Sequence, residues 1–403
     1  LKRIFDPIHH FIELEPAEAR LLDLPSMQRL RRLRQLGLAY FAFPSAEHSR
    51  FTHALGAFAM GTRAFDQLTR SNPEFFASDT DRAYARRLVR CALLLHDIGH
   101  GPFSHACEEV LGVHHEARTA EILALPEMRE GVAALDLDPS DVLALIVGAR
   151  SGKHAWLCEL VSGPNLDADR MDYLLRDAYF TGVASGRYDA DALVASLRLF
   201  ERGGEPVVGI DHRGLVALES FVVARYMMFA SVYFHKTTRL FERILQEVLR
   251  ELWPDPATLN PIDEFLRWDD FRVLNDLRDR KSEAARALRE RIRLYALAAE
   301  FNAEADLRTY ERCEAALRER FGDENVWADE QSTAMHRLPL GVDDGSKTVL
   351  VSTASGLIDA RRASDLIAKL TGKAYWRKLF VRRNRADVPE ARRLCSEIIS
   401  AST

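Results

Sequence analysis

"CALLLHDIGHGPFSHACEE", residues Cys91 to Glu109, sets a run of leucines directly before His96, Asp97, His100 and His105. Leu93 to Leu95 read as the buried end of a helix, which "DIGHGP" breaks with two glycines and a proline. Adjacent residues on a straight helix diverge by about 100°. His96 and Asp97 can therefore reach one ion only at a helix end, and this stretch supplies that end. The leucines would hold such ligands by packing. Mixed imidazole and carboxylate donors suit a divalent transition metal, with iron, manganese, zinc, cobalt and nickel all compatible.

Two neighbouring ligands do not complete a hydrolytic site, which needs about four protein donors and open positions for water and substrate. His53 in "RFTHALG" and Asp169 in "LDADRMDYLLRD" stand where helices begin or turn inward. They give the order His53, His96-Asp97, Asp169. This H…HD…D order in a helical context resembles the HD-domain metal-dependent phosphohydrolases. Longer stretches narrow the likeness: "DPIHHFIELEP", "QRLRRLRQLGLAYFAFPSAEHSRFTHALG", "HDIGHGPFSH", "HHE" and "DADRMDYLLRD" follow one another over roughly residues 1–250. In that order they look like the deoxynucleoside triphosphate triphosphohydrolases.

The resemblance implies hydrolysis of a deoxynucleoside triphosphate to deoxynucleoside and inorganic triphosphate. It implies a metal on His53, His96, Asp97 and Asp169, with a second magnesium ion accompanying the nucleotide. His100 and His105 would approach the phosphate. His105 would protonate the departing 5′-oxygen, Glu108 would orient it, and His115 would be a further active-site histidine, with His114 structural. Arg50, Arg170 (where the family usually has lysine) and Arg225 would neutralise the triphosphate. Tyr173 would pack on the deoxyribose, Asp177 would meet the 3′-hydroxyl, and Gln35 and Leu36 would touch the same sugar. His48 reads as a loop residue, near the site in sequence only, and His9 carries no role. Phe229 and Phe234 replace polar residues near the base, so base preference does not transfer. Family members also bind an activating nucleotide between subunits of a homo-oligomer. Lys2, Asp23, Gln28 and Arg31 fit that pattern, while Phe5 replaces a polar partner.

The rest of the chain sets bounds on these expectations. The formal charge of −5 gives no bulk attraction to nucleic acid or to an anionic membrane, although "QRLRRLRQ" offers a local basic patch. Five scattered cysteines suit a reducing cytosol, no apolar run approaches a membrane span, and the start does not resemble a signal peptide, so a cytoplasmic location is expected. Helical periodicity dominates, predicting a mostly α fold. The expected divisions are a multi-helix HD-domain core over residues 1–253, a helical extension over 254–322 and a small α+β region over 323–403. Within the core we expect a basic helix from Ser26 closed by Gly37. A hairpin turning at Asp211 to Gly214 and one long helix from Glu219 to Leu252 complete it. The rivals are the same metal chemistry on another phosphate ester, such as a nucleoside monophosphate, a dinucleoside polyphosphate or an alarmone, and a non-catalytic nucleotide or nucleic-acid sensor. Cyclic-dinucleotide phosphodiesterases usually carry lysine where His100 stands, and a GYP motif absent here.

Overall fold

Apolar residues at steps of three and four build two antiparallel-packed helices, Arg50–Ser71 and Asp79–Leu95, whose facing sides are wholly buried. A third, Ala168–Thr181, crosses the first one at Gly56. A Cβ there would lie 2.0 Å from Asp172 Oδ1 and 2.2 Å from Arg176, so only glycine admits this approach. These coordinates are a computed structural model, which describes residues 1–149, 154–163, 166–302, 306–336, 349–354, 356–370 and 372–402. The helices bury one continuous core that includes Leu93, Leu94, Leu95, Met171 and Leu174. The fold is mostly helical, with a small sheet-containing C-terminal part.

Among the described residues, three sheets decorate the helices. Lys2–Asp6 and His10–Leu14 form an antiparallel hairpin at the N-terminus. Leu197–Arg202, Glu205–Asp211, Leu350–Thr353 and Gly356–Asp359 make a four-stranded sheet, so the C-terminal part adds two strands to the edge of the core. Tyr295–Phe301 and Val326–His336 flank Gly372–Arg382 in a third sheet, covered by helices Leu307–Phe321 and Val388–Ser400.

Several local expectations are corrected. The basic helix stops early: Pro25–Arg29 is α-helical, Leu30–Arg32 is one 3₁₀ turn, and Leu33 is extended. The backbone there turns outward to bond elsewhere, with Arg50 N–H on the Leu33 carbonyl and Gln35 N–H on the His48 carbonyl. The hairpin turns at Gly203-Gly204, both with positive φ, while Asp211 instead caps a 3₁₀ turn leading into Leu215–Met228. The expected long helix is two, Leu215–Met228 and Lys236–Leu252, parted by a π turn at Phe229–Tyr233. Tyr295–Phe301 is a strand inside the stretch expected to be helical. Of the small α+β region expected over 323–403, residues 337–348 lie outside the described residues. One helix among the described residues, His212–Tyr233, is long and apolar enough to cross a membrane by length and composition, contrary to expectation. Its Phe221, Val222, Ala224 and Met228 are buried in the core, and its Arg225 points to Tyr173.

Candidate metal centre and nucleotide cavity

The central helices bring His53, His96 and Asp169 together from positions far apart in the chain. Their ligand atoms lie within 4.8 Å of one another. His53 Nε2 is 3.2 Å from His96 Nε2 and 2.9 Å from Asp169 Oδ1; His96 Nε2 is 3.5 Å from the same oxygen. The other ring nitrogens are committed. His96 Nδ1 donates to the Leu93 carbonyl at 2.8 Å, and His53 Nδ1 donates to Asp172 Oδ2 at 2.8 Å. Both Nε2 atoms are thus left to face a common point, where two lone pairs would repel and two N–H groups would clash. Burial alone would lower the His53 imidazole, but Asp169 and Asp172 outweigh it and raise it to about 10. The pocket calls for positive charge between these atoms, and a divalent cation satisfies it. The donor set fits such an ion. Asp97 sits at its edge: Oδ1 is 3.5 Å from His96 Nε2, and Oδ2 accepts from Arg50.

A layer behind the ligands fixes them, and the sequence reading gives it no role. Asp172 is fully buried and accepts from His53, from Arg176 Nε at 2.8 Å and from His9 Nε2 at 2.6 Å. Burial would raise its carboxyl, but Arg176, His53 and His9 hold it well below the ordinary range. Arg176 also donates to Asp6 at 2.8 Å, and Asp6 accepts from the backbone of Ile8 and His9, which shapes the hairpin turn that delivers His9. The N-terminal hairpin is therefore part of the centre's support. The step of three from Asp169 to Asp172 is the one sequence signal for it.

Beside the ion site stands an imidazole cluster around Glu108. His115 Nδ1 lies 2.8 Å from Glu108 Oε1, His105 Nδ1 3.2 Å from Oε2, and His100 Nδ1 3.3 Å from Oε1. His100 and His115 stack with centroids 3.9 Å apart. Burial would raise Glu108, but the three imidazoles hold it far below the usual carboxylate range. Burial, then the Arg50 guanidinium, pushes His100 down to about 4, so its ring is neutral at pH 7. His105 opens helix His105–Leu111 and its side chain is 78% exposed, within reach of anything in the adjoining cavity. His114 is more exposed still.

That cavity has a volume of about 410 Å³ and is lined by Gln35, Leu36, Arg50, His105, Tyr173 and Asp177, six of the expected site residues. Its wall continues through Phe229, Tyr233 and Phe234 to a polar end at Thr238, Glu242 and Gln331. Gln35 Oε1 and Thr238 Oγ1 are buried in the wall with no protein hydrogen-bond partner. Arg50 Nε donates to Ser104 Oγ at 2.8 Å. Asp177 accepts from Tyr233 at 2.8 Å and pairs with His48 Nε2 at 2.7 Å. His48, which also stacks on Phe180, is therefore a loop residue buried behind Asp177 of the cavity wall, near the site in space and not in sequence only. Arg225 Nη1 donates to the Tyr173 hydroxyl at 2.6 Å, with its guanidinium over Phe229. Arg170 does not face the cavity as expected; it bonds the Asp167 carboxylate and the Gly163 carbonyl at the start of its own helix. At the surface, Lys2 pairs with Asp23 at 2.9 Å and Arg31 with Gln28 at 2.8 Å, while Phe5 is exposed beside Phe11.

Comparison with known proteins agrees with this geometry. Residues 50–177 match the HD domain, and residues 188–322 match the HD associated region. The uncharacterised protein YwfO of Bacillus subtilis is 38% identical over 247 residues, 60% of this chain and 54% of that one. The Dictyostelium discoideum homolog of deoxynucleoside triphosphate triphosphohydrolase SAMHD1 is 30% identical over 264 residues, 62% of this chain and 49% of that one. The chain thus spans about half the length of the curated relatives it matches. A crystal structure of a hypothetical protein from Aquifex aeolicus superposes with a TM-score of 0.82 at 32% identity, covering 98% of this chain and 99% of that one. An ion-ready His/Asp cluster at the junction of three helices, backed by a full-length structural relative, makes the chain a member of the HD-domain family, of the kind related to the deoxynucleoside triphosphate triphosphohydrolases.

Proposed function

We propose that the chain hydrolyses deoxynucleoside triphosphates to deoxynucleoside and inorganic triphosphate. The observation that carries this reading is the placement of Tyr173 and Asp177 one and two turns beyond Asp169 on one helix, both lining the cavity that also holds Arg50 and His105. A ligand whose phosphates meet the ion site and Arg50 then lays its sugar along that helix. His53, His96, Asp169 and Asp97, whose Oδ1 also lies 3.3 Å from His100 Nε2, would hold a divalent ion, which would supply polarisation of a phosphoryl oxygen and acidification of water.

The chain's own groups do the rest. Arg50 is buried beside Asp97 and presents fixed positive charge to the α-phosphate region, where charge builds in the transition state. His105 reaches the cavity and delivers a proton to the departing 5′-oxygen. Glu108 orients it through Nδ1, leaving Nε2 toward the substrate. His115 and neutral His100 brace the same carboxylate. Asp177, held by His48 and Tyr233, receives the 3′-hydroxyl, and Tyr173 closes on the sugar ring.

Chromatographic analysis of products from a panel of dNTPs, NTPs, nucleoside monophosphates and dinucleoside polyphosphates tests the proposal. Intact triphosphate released from dNTPs in a metal-dependent way is expected; release of orthophosphate or pyrophosphate alone would refute it. The surface pairs Lys2–Asp23 and Gln28–Arg31 extend the proposal to activation by a nucleotide held between subunits. A rate sigmoidal in dNTP for the wild type, and hyperbolic for Arg31→Ala, is the expected outcome.

A further inference from the structure

Asp270 lies outside the helices that carry the ion site, at the start of Asp270–Asp276 in the associated region, and it is wholly buried. Its two oxygens go to two different strands of backbone. Oδ2 accepts the Arg34 N–H at 2.8 Å, and Oδ1 accepts the Phe103 N–H at 2.8 Å. Arg34 leads directly into Gln35 and Leu36, one stretch of the cavity lining. Phe103, whose carbonyl lies beside Gly37, leads into Ser104 and His105, a second stretch of the same lining.

The second of these segments is strained. Phe103 and Ser104 both adopt positive φ, 53° and 55°, in a region that L side chains rarely enter. Such backbone costs on the order of 1–3 kcal/mol per residue and persists only where its surroundings hold it. What the strained turn achieves is placement: Ser104 Oγ meets Arg50 Nε, and His105 begins the next helix at the cavity mouth. Arg29, also buried, adds a second tie from the same segment, with Nε on the Trp268 carbonyl at 3.0 Å and Nη1 on the His100 carbonyl at 2.8 Å.

We propose that Asp270 is a positioning residue that clamps two segments of the cavity lining in register, so that Gln35-Leu36 and Arg50-His105 address one substrate together. A carboxylate suits the task because both its oxygens accept; an amide offers one acceptor and would leave one segment unheld. The burial of this carboxyl is costly in itself, and that cost brings two bonds between segments far apart in sequence. The activity arm of the test rests on the dNTP reading above, whereas the structural arm does not.

The experiment compares wild type, Asp270→Asn, Asp270→Glu and Asp269→Asn in the full chain. Asp269 sits at the same helix start but pairs outward with Arg32 and caps Arg272 N–H, so it serves as the control. Four quantities are read: amide hydrogen exchange of the peptides containing Arg34 and Phe103, kcat and KM for dNTPs, bound metal, and melting temperature. For Asp270→Asn we expect faster exchange in both peptides and a kcat lowered about tenfold to hundredfold, the range that small misplacements produce, with metal content kept. Asp270→Glu retains both acceptors and recovers part of kcat; Asp269→Asn matches wild type. A folded Asp270→Asn with wild-type exchange in both peptides overturns the clamp, as does lost protection with unchanged kcat. Should Asp270→Asn not fold, the wild type carries the test. Both amides are then expected to be strongly protected, and exchange of either one at the rate of an unbonded loop amide would refute the proposal. Absence of turnover on every dNTP by wild type would sink the substrate reading and leave the exchange result standing.

Discussion

Asp172 accepts the Nδ1 hydrogen of His53 at 2.8 Å, and in doing so it decides what the other side of that ring can do. With Nδ1 committed as donor, Nε2 is the atom offered to the ion. Asp172→Asn can present its amide N–H to Nδ1 and so shift the ring hydrogen to Nε2, which blocks ligation. It also leaves Arg176 with Asp6 alone as its carboxylate partner. We expect metal affinity to fall about tenfold to hundredfold, the usual cost of losing such an outer partner. Metal titration followed by elemental analysis checks this. Full metal occupancy at wild-type affinity would refute the account of the ring.

Glu108 collects three imidazoles, and its carboxylate charge is what makes that possible. Glu108→Gln keeps the shape but offers one carbonyl oxygen where His105 and His115 each meet a different one, and its amide hydrogens repel any Nδ1–H they face. The ion ligands lie elsewhere, so metal should stay bound. We expect kcat to fall by about 10²–10⁴, the range of general acid–base contributions. KM for dNTP should change little. A Glu108→Gln enzyme with normal kcat would remove His105 from the proton-donor role. Metal loss equal to the activity loss would instead make the cluster part of the ion site.

The cluster that could hold an ion, His53, His96 and Asp169, is legible in the sequence because each stands at a helix end or start and each belongs to a recognisable short motif. His53, His96 and Asp169 need no knowledge of loops to be placed on one centre. Arg170 shows where such reading fails. It neighbours Asp169 in sequence, yet adjacent side chains on a helix diverge by about 100°, and its guanidinium lies against Asp167 and Gly163. His48 fails in the opposite direction, since its partner Asp177 is 129 residues away and nothing local announces it. The break between Leu215–Met228 and Lys236–Leu252 occurs without glycine or proline, through a π turn that periodicity does not mark. Tyr295–Phe301, "YALAAEF", is rich in residues that favour helix. Its strand state is set by pairing with Gly372–Arg382, a tertiary decision that propensity does not contain. Asp172, Arg176 and Asp270 are acids and a base on helices that read as ordinary solvated faces until their burial is known.

On the proposed reading, sugar choice depends on Tyr173 in the cavity wall and on Arg225, which holds it. The hydroxyl of Tyr173 is held at 2.6 Å by Arg225, which fixes the ring in place; on the proposed reading it is this fixed ring that would exclude an added 2′-hydroxyl. Tyr173→Phe removes that bond and frees both groups. We expect kcat/KM for dNTPs to fall, and the preference for dNTP over NTP to narrow by roughly tenfold, about 1.4 kcal/mol. Parallel kinetics on one dNTP and its ribonucleotide check this. An unchanged ratio would mean that sugar selection resides elsewhere, with Gln35 and Leu36 the next residues to vary.

Acid sensitivity follows from the same buried network. The Asp172 carboxyl is held well below its ordinary value: burial acts to raise it, and Arg176, His53 and His9 prevail. A carboxyl whose folded value lies below its unfolded one, about 3.9 for aspartate, binds protons more weakly in the folded state. Its contribution to stability is therefore fully present above about pH 4, and it is lost progressively as pH falls toward the folded value. We expect the melting temperature to be steady between pH 5 and 7 as far as this group is concerned, then to drop steeply below about pH 4. In Asp172→Asn the chain should melt lower at pH 7, because Arg176 loses a buried partner, and the acid drop should be shallower. Melting curves of both proteins from pH 7 down to 3, taken with the metal fully chelated so that ligand protonation is shared by both, decide the matter. Parallel curves for the two proteins across that range would show that Asp172 does not anchor the centre through its charge.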